Sequence, residues 1–207
     1  MLSTTGRGFA RALFGPAARL LARLGVSPDV VTVAGTVLTC LAALTLIPLD
    51  MLVIGPLVIT VCVLLDNLDG QLARLTGQES VWGAFLDSTM DRVADGALLA
   101  AVIIWALRHL EGTWQLLTVA AALAALVFGS VVPYAKARAE SVGLRGDGGL
   151  AERADRLVVI LVALFLVGLG LPPVVLTVAL WVLALAALIT VFQRMGRAYR
   201  SARQAID

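Results

Sequence analysis

A chain of 207 residues that is 60% hydrophobic and only 14% charged, with a mean hydropathy of +0.96, lies outside the range of water-soluble globular domains. At about 20 residues per crossing it has room for roughly six membrane spans with short loops, and none for a separate soluble domain. Its net charge of +2 says little until the basic residues are placed.

The first element is expected over residues 8–25. Phe9, Leu13, Phe14, Ala17, Leu20, Leu21 and Leu24 recur at helical spacing with Arg11, Arg19 and Arg23 between them, the pattern of an amphipathic helix lying at the membrane interface. The arginines interrupt any continuous apolar core, so a cleaved secretory signal is not expected. Ser27-Pro28-Asp29 separates this helix from the first span. Apolar runs follow near 30–49, 51–68, 84–107, 114–135, 157–171 and 174–193. They predict a bundle of six transmembrane helices within 30–196, followed by a basic tail over 197–207. Six crossings put both termini on one side, and every basic residue except Arg108 with them, so that side is expected to be the cytoplasm. The predicted fold is an all-α integral membrane protein of one domain, residues 1–207, in the plasma membrane of a bacterium. Cys40 and Cys62 fall within spans, without CxxC spacing or flanking histidines, and read as packing residues. His109 sits in the short loop on the far side.

Against this apolar background stand Asp66 and Asp69, then Asp87 and Asp91. An aspartate at the middle of a membrane helix costs roughly 2.5 to 3.5 kcal/mol, so four unpaired ones would cost about 10 kcal/mol or more. The second span is expected to end near Asp69-Gly70 and the third to begin near Gly83, which gathers all four at the cytoplasmic ends of two adjacent antiparallel helices. Separations of three and four residues put each pair on one helix face. Converging carboxylates repel one another, and divalent cations remove that penalty. Oxygen-only ligands without histidine or thiolate point to magnesium, manganese or calcium. Four carboxylates balance two such ions, and a two-metal carboxylate site is a recurrent device for displacement at phosphorus. Arg74, about a turn beyond Asp69, adds a bidentate donor for phosphate. A solvated rim of aspartates paired with Arg74 and Arg92 would explain a single acid at a helix end, but not this whole pattern.

Residues 66–91 read Asp66-x-x-Asp69-Gly70-x-x-Ala73-Arg74, eight residues, then Gly83-x-x-x-Asp87-x-x-x-Asp91. This resembles the complete signature of the CDP-alcohol phosphatidyltransferase family. The resemblance implies a six-helix membrane fold with an N-terminal interfacial helix, usually homodimeric. It also implies an activity that moves a phosphatidyl group from a CDP-linked lipid, CDP-diacylglycerol, to an alcohol and releases CMP. By the same resemblance Asp66, Asp69, Asp87 and Asp91 bind two Mg2+ ions, with Mn2+ as an alternative, and Asp91 is also the general base on the acceptor hydroxyl. Asp29, Thr32, Asp69, Gly70, Arg74 and Gly83 line the cytidine diphosphate site. Asp95 continues the Asp91 face one turn further. It either assists the site from behind or holds a basic side chain of a neighbouring helix.

Lys136, Arg138, Arg153 and Arg156 flank the fourth and fifth spans, and Arg194 lies near the end of the sixth, all on the side of the aspartates. Such a cluster suggests an acceptor with its own phosphate, although inner-side basic residues also orient spans and bind anionic headgroups. Ser27-Pro28-Asp29-Val30-Val31-Thr32, Tyr134-Ala135-Lys136-Ala137-Arg138-Ala139-Glu140, Gly143-Leu144-Arg145-Gly146-Asp147-Gly148-Gly149 and Glu152-Arg153-x-x-Arg156 resemble the actinobacterial inositol-phosphate-using branch of the family, the phosphatidylinositol phosphate synthases. That branch implies inositol 1-phosphate as acceptor, its phosphate held by Lys136, Arg138, Arg153, Arg156 and Arg194. Pro133 departs from the small polar residue expected before the tyrosine. A glycerol 3-phosphate acceptor would also want a basic pocket. A small cation transporter is the alternative from another class, and it would place its acids near the bilayer midplane. No nucleic acid partner is expected.

Overall fold

The computed structural model describes residues 15–149 and 153–204, and all regular structure there is helical. Residues 15–23 form α1, which exposes Leu20, and Leu24 in the turn after it is exposed as well; the part of the expected 8–25 helix before residue 15 lies outside the described residues. Then come α2 (Pro28–Leu46), α3 (Ile54–Asp66), α4 (Leu68–Thr76), α5 (Val81–His109), α6 (Gly112–Ser141), α7 (Arg153–Gly168) and α8 (Val174–Gln204).

Local chemistry sets these boundaries. Ser27 caps α2 by accepting from Val30 N–H, and Pro28 follows at a position where its missing N–H costs nothing. Asn67 interrupts the chain between α3 and α4, its side-chain amide turned back onto the Val63 and Leu64 carbonyls. The segment Ile54–Thr76 therefore continues past the expected span end at residue 68. Gly77 ends α4 in the left-handed conformation at φ 67°, and Ser80 caps α5 through Gly83 N–H at 3.0 Å. Two stretches read as loop or tail in the sequence are also helical. Lys136 and Arg138 belong to the last turns of α6, and α8 runs through residue 197 to Gln204.

The helices close a ring in the order α2, α3, α7, α8, α6, α5 and back to α2. This corrects the expected side-by-side packing of the two aspartate helices, because α3 and α5 each pack on α2 rather than on one another. Away from the aspartates the ring is filled by Ile47, Ile59, Leu98, Val102, Leu164, Leu176 and Leu180, with Ala43, Ala101, Ala106, Ala121 and Ala122 at the closest approaches. Small residues at helix contacts are how bundles hold together in lipid, where hydrophobic association between helices is weak. The outer surface is apolar, with Leu41, Val61, Leu116 and Val182 more than half exposed. On the far side Trp105 donates to Asp50 at 2.7 Å, and His109 Nε2 lies 3.2 Å from the Pro48 carbonyl, so the lone histidine ties a loop. Cys40 and Cys62 are free thiols.

Among the described residues, four segments are long and apolar enough to cross a membrane: Pro28–Leu46, Ile54–Thr76, Gly112–Ser141 and Val174–Gln204. The first half of α5 carries Asp87, Asp91, Arg92 and Asp95, and the described part of α7 has 16 residues, so neither meets that standard.

Candidate active site

The filled part of the ring gives way, at the other end, to a cleft whose walls are the ends of α3, α5 and α7. Asp66 is the last residue of α3 and Asp69 lies in the first turn of α4, where a carboxylate is favoured by the helix dipole. Across the cleft stand Asp87 and Asp91 of α5. Asp66, Asp87 and Asp91 each place a carboxylate oxygen within 4.8 Å of the others. Asp69 lines the same cavity but is engaged differently: its Oδ2 accepts from Thr32 Oγ1 and its Oδ1 from Gly70 N–H, both at 2.5 Å.

Thr32 fixes one edge of a recess of about 200 Å3 between α2, α4 and the start of α5. Asp29, Thr32, Asp69, Gly70, Arg74 and Gly83 all line it, so the structure brings together every residue expected there. Gln78, Glu79 and Ser80 complete its rim, and Trp82 Nε1 holds Asp29 Oδ2 at 3.0 Å. A Cβ at Gly83 would stand 3.3 Å from Ser80 Oγ, so the bare backbone there keeps the recess open. Arg74 borders both this recess and the aspartate cavity of about 680 Å3, which continues between α3 and α7 along Leu64, Leu157 and Leu161.

On the other side of α5 lies a basic cavity of about 710 Å3. Lys136, Arg153, Arg156 and Arg194 line it together with Ser88, Thr89, Arg92 and Ser130. Arg138 does not; it is exposed, and its guanidinium donates to Ser141 at 3.3 Å. Arg194 donates to the carbonyls of Gly148 at 2.8 Å and Val132 at 2.5 Å. Pro133 sits inside α6 without ending it, and the carbonyl before it is the one Arg194 takes. Arg153 borders both cavities, with Nη1 2.6 Å from Asp91 Oδ1 and Nε 3.0 Å from Asp95 Oδ1. Asp95 thus holds basic side chains of α7.

The donor set fits a hard divalent cation. It is oxygen-only, its carboxylates converge, and Asp66 Oδ1 is buried without a hydrogen-bond partner among the described residues. Sequence reading missed Gly35, whose only signal was a glycine inside an apolar helical run. A Cβ at Gly35 would stand 3.0 Å from Asp66 Oδ1 and 3.8 Å from its Cα. Gly35→Val is therefore expected to turn the Asp66 carboxylate and weaken Mn2+ binding by roughly tenfold in a calorimetric titration, the scale of a change behind a metal ligand. Unaltered affinity would mean that Asp66 does not depend on this approach.

Residues 25–191 match the family model described as CDP-alcohol phosphatidyltransferase. The chain is 44% identical over 182 residues to the phosphatidylinositol phosphate synthase of Mycolicibacterium smegmatis, covering 87% of this chain and 81% of that one. It is 42% identical over 211 residues to the Streptomyces avermitilis enzyme of the same name, covering 99% and 85%. Among solved structures, Mycobacterium tuberculosis phosphatidylinositol phosphate synthase with CDP-DAG bound is 41% identical with a TM-score of 0.84, covering 90% of this chain and 93% of that one. The same enzyme in complex with manganese and citrate gives a TM-score of 0.85 at 41% identity, covering 90% and 88%.

Proposed function

Because the chain belongs to the CDP-alcohol phosphatidyltransferase family, we propose that it transfers the phosphatidyl group of CDP-diacylglycerol to 1D-myo-inositol 1-phosphate, giving phosphatidylinositol phosphate and CMP. The observation that carries this reading is the position of Asp91. It lines the aspartate cavity, which shares Asp69, Gly70, Arg74 and Asp87 with the recess lined by Asp29 and Thr32, and shares Arg153 with the basic cavity lined by Lys136, Arg156 and Arg194. The names of the relatives at 42 to 44% identity support the inositol phosphate acceptor.

In this reading the recess receives the cytidine diphosphate, with Gly70 and Gly83 leaving room for it and Arg74 reaching the phosphates. The groove between α3 and α7 opens the same cavity toward lipid, as a diacylglycerol donor requires. Asp66, Asp69, Asp87 and Asp91 would hold two Mg2+ ions, with Mn2+ as an alternative. When bound, such ions neutralise charge on the phosphoryl oxygens and align the displacement. Asp91 takes the proton of the acceptor hydroxyl. The hydroxyl oxygen forms its bond to the phosphorus bearing the diacylglycerol as the bond to CMP breaks, and CMP leaves with the electron pair. Lys136, Arg153, Arg156 and Arg194 hold the acceptor's own phosphate, and the exposed Arg138 serves its approach by charge alone.

Six crossings belong to the same reading, with α5 and α7 as the remaining two, since each sits in the ring between helices that span. The charged cleft and both termini then face the cytoplasm of a bacterial plasma membrane, and the enzyme is a homodimer by family resemblance.

The test offers the purified protein CDP-diacylglycerol and Mg2+ with inositol 1-phosphate, glycerol 3-phosphate, inositol or serine, and measures CMP release. Inositol 1-phosphate is expected to be turned over fastest. Faster turnover of another alcohol overturns the acceptor assignment, and no CMP with any of them overturns the reaction.

A further inference from the structure

We propose that Asp95 is the positioning residue of the acceptor-phosphate pocket: one carboxylate holds Arg153 and Arg156 at fixed places beside Asp91, and through them sets where the phosphate sits. The proposal rests on the reading that the acceptor carries a phosphate.

Three arginines from two helices meet this one carboxylate. Arg153 Nε lies 3.0 Å from Oδ1, while Arg156 Nη2 at 3.4 Å and Arg92 Nη2 at 3.5 Å share Oδ2. The group is shielded from water, with 18% of the Asp95 side chain and 11% of the Arg156 side chain exposed. A guanidinium so buried needs an anionic partner. Gly129 of α6 packs against it, a Cβ there standing at ordinary contact distance, 3.8 Å, from Arg156 Nε. Asp95 uses its two oxygens on different arginines, so the spacing between Arg153 and Arg156 is that of one carboxylate. The rest of the Arg156 fork remains for the cavity, where Arg92, Lys136, Arg153, Arg156 and Arg194 against Asp91, Asp95 and Glu140 leave a positive surplus suited to a phosphate dianion. The other end of the Arg153 fork is on Asp91, so the phosphate is tethered within reach of the group that takes the hydroxyl proton.

Geometry and charge predict opposite outcomes for Asp95→Asn. Removing the negative charge makes the cavity more positive, and if Asp95 were only a counter-charge, the acceptor's KM would fall. An asparagine, however, has one acceptor oxygen, and its amide N–H groups would point at a guanidinium, so one arginine loses its hold. Losing a hydrogen bond to a charged group corresponds to about 10- to 100-fold, and that rise is expected in the acceptor's KM, with the KM for CDP-diacylglycerol changed less than about twofold. Asp95→Glu is expected to recover most of the loss, because a cavity of about 40 Å3 beside Asp95 has room for the added methylene. If Asp95 acts through Arg156, Asp95→Asn adds little in an Arg156→Ala background.

An acceptor KM that is unchanged or lowered overturns the proposal, as do effects of the two substitutions that multiply. Should Asp95→Asn not fold, Asp95→Glu takes its place: an acceptor KM raised a few-fold with the donor KM unchanged supports the role, and wild-type values for both overturn it. Running inositol 1-phosphate beside glycerol 3-phosphate separates the two failures. A wild type that prefers glycerol 3-phosphate overturns the acceptor assignment, while Asp95 is judged on whichever phosphate ester is used. A wild type that accepts only unphosphorylated alcohols overturns both.

Discussion

Asp91→Asn is expected to lower turnover by at least about a thousandfold while CDP-diacylglycerol still binds, since a positioned general base contributes about 10²- to 10⁴-fold. The amide cannot take the hydroxyl proton, and it withdraws one anionic oxygen from the group formed with Asp66 and Asp87. It also removes the anionic partner 2.6 Å from Arg153. The recess is left intact, because Asp29, Thr32, Gly70, Arg74 and Gly83 line it without Asp91. CMP release measures the first effect, and the rise in unfolding temperature on adding CDP-diacylglycerol measures the second. A residual rate within about tenfold of wild type would remove Asp91 as the base, because a proton-transfer group at this position cannot contribute so little. Loss of donor binding alongside turnover would place Asp91 in the recess instead.

What was readable beforehand follows from sequence distance. The four aspartates, Gly70, Arg74 and Gly83 occupy one helix–turn–helix stretch, so periodicity and the Gly77 turn bring them to one end without any knowledge of the bundle. The partners of α3 and α5 were not readable in this way. Apolar faces are much alike on α2, α3 and α5, and the choice to pack both aspartate helices on α2 depends on close contacts such as Gly35 against Asp66. That choice opens the cleft, since aspartate helices packed directly together would close it.

The basic residues divide for a simpler reason. Lys136 and Arg138 are two apart on α6, about 200° around a helix, so only one of them can face the cavity. In the apolar pattern of the sequence both fall after the fourth span, in a loop, where that constraint does not apply. Arg153 and Arg156 are three apart and share a face of α7, which is why both reach Asp95.

Asp66→Asn is expected to abolish turnover and yet to raise the unfolding temperature of the metal-free protein. Without a divalent cation, Asp66, Asp87 and Asp91 hold oxygens within 4.8 Å, a repulsion of about 3 kcal/mol per ionised pair at an effective dielectric of 20. Of the three, Arg153 pairs directly with Asp91, and Asp66 Oδ1 is buried without a hydrogen-bond partner among the described residues. An asparagine at the end of α3 removes one charge and supplies N–H donors facing the carboxylates of α5. Relief of 1 to 3 kcal/mol would raise the unfolding midpoint by roughly 2 to 4 °C per kcal/mol. In the wild type Mn2+ should raise the midpoint in proportion to its affinity, because it binds only the assembled site, and in Asp66→Asn that increment should largely vanish. Thermal unfolding of the detergent-solubilised protein, with chelator and then with Mn2+, reads both quantities. A variant that is less stable in chelator, yet still stabilised by Mn2+ as the wild type is, would mean that Asp66 serves the packing of α3 rather than the ions. The expected pattern, greater stability bought with lost activity, marks carboxylates whose mutual repulsion the fold tolerates because their cargo relieves it.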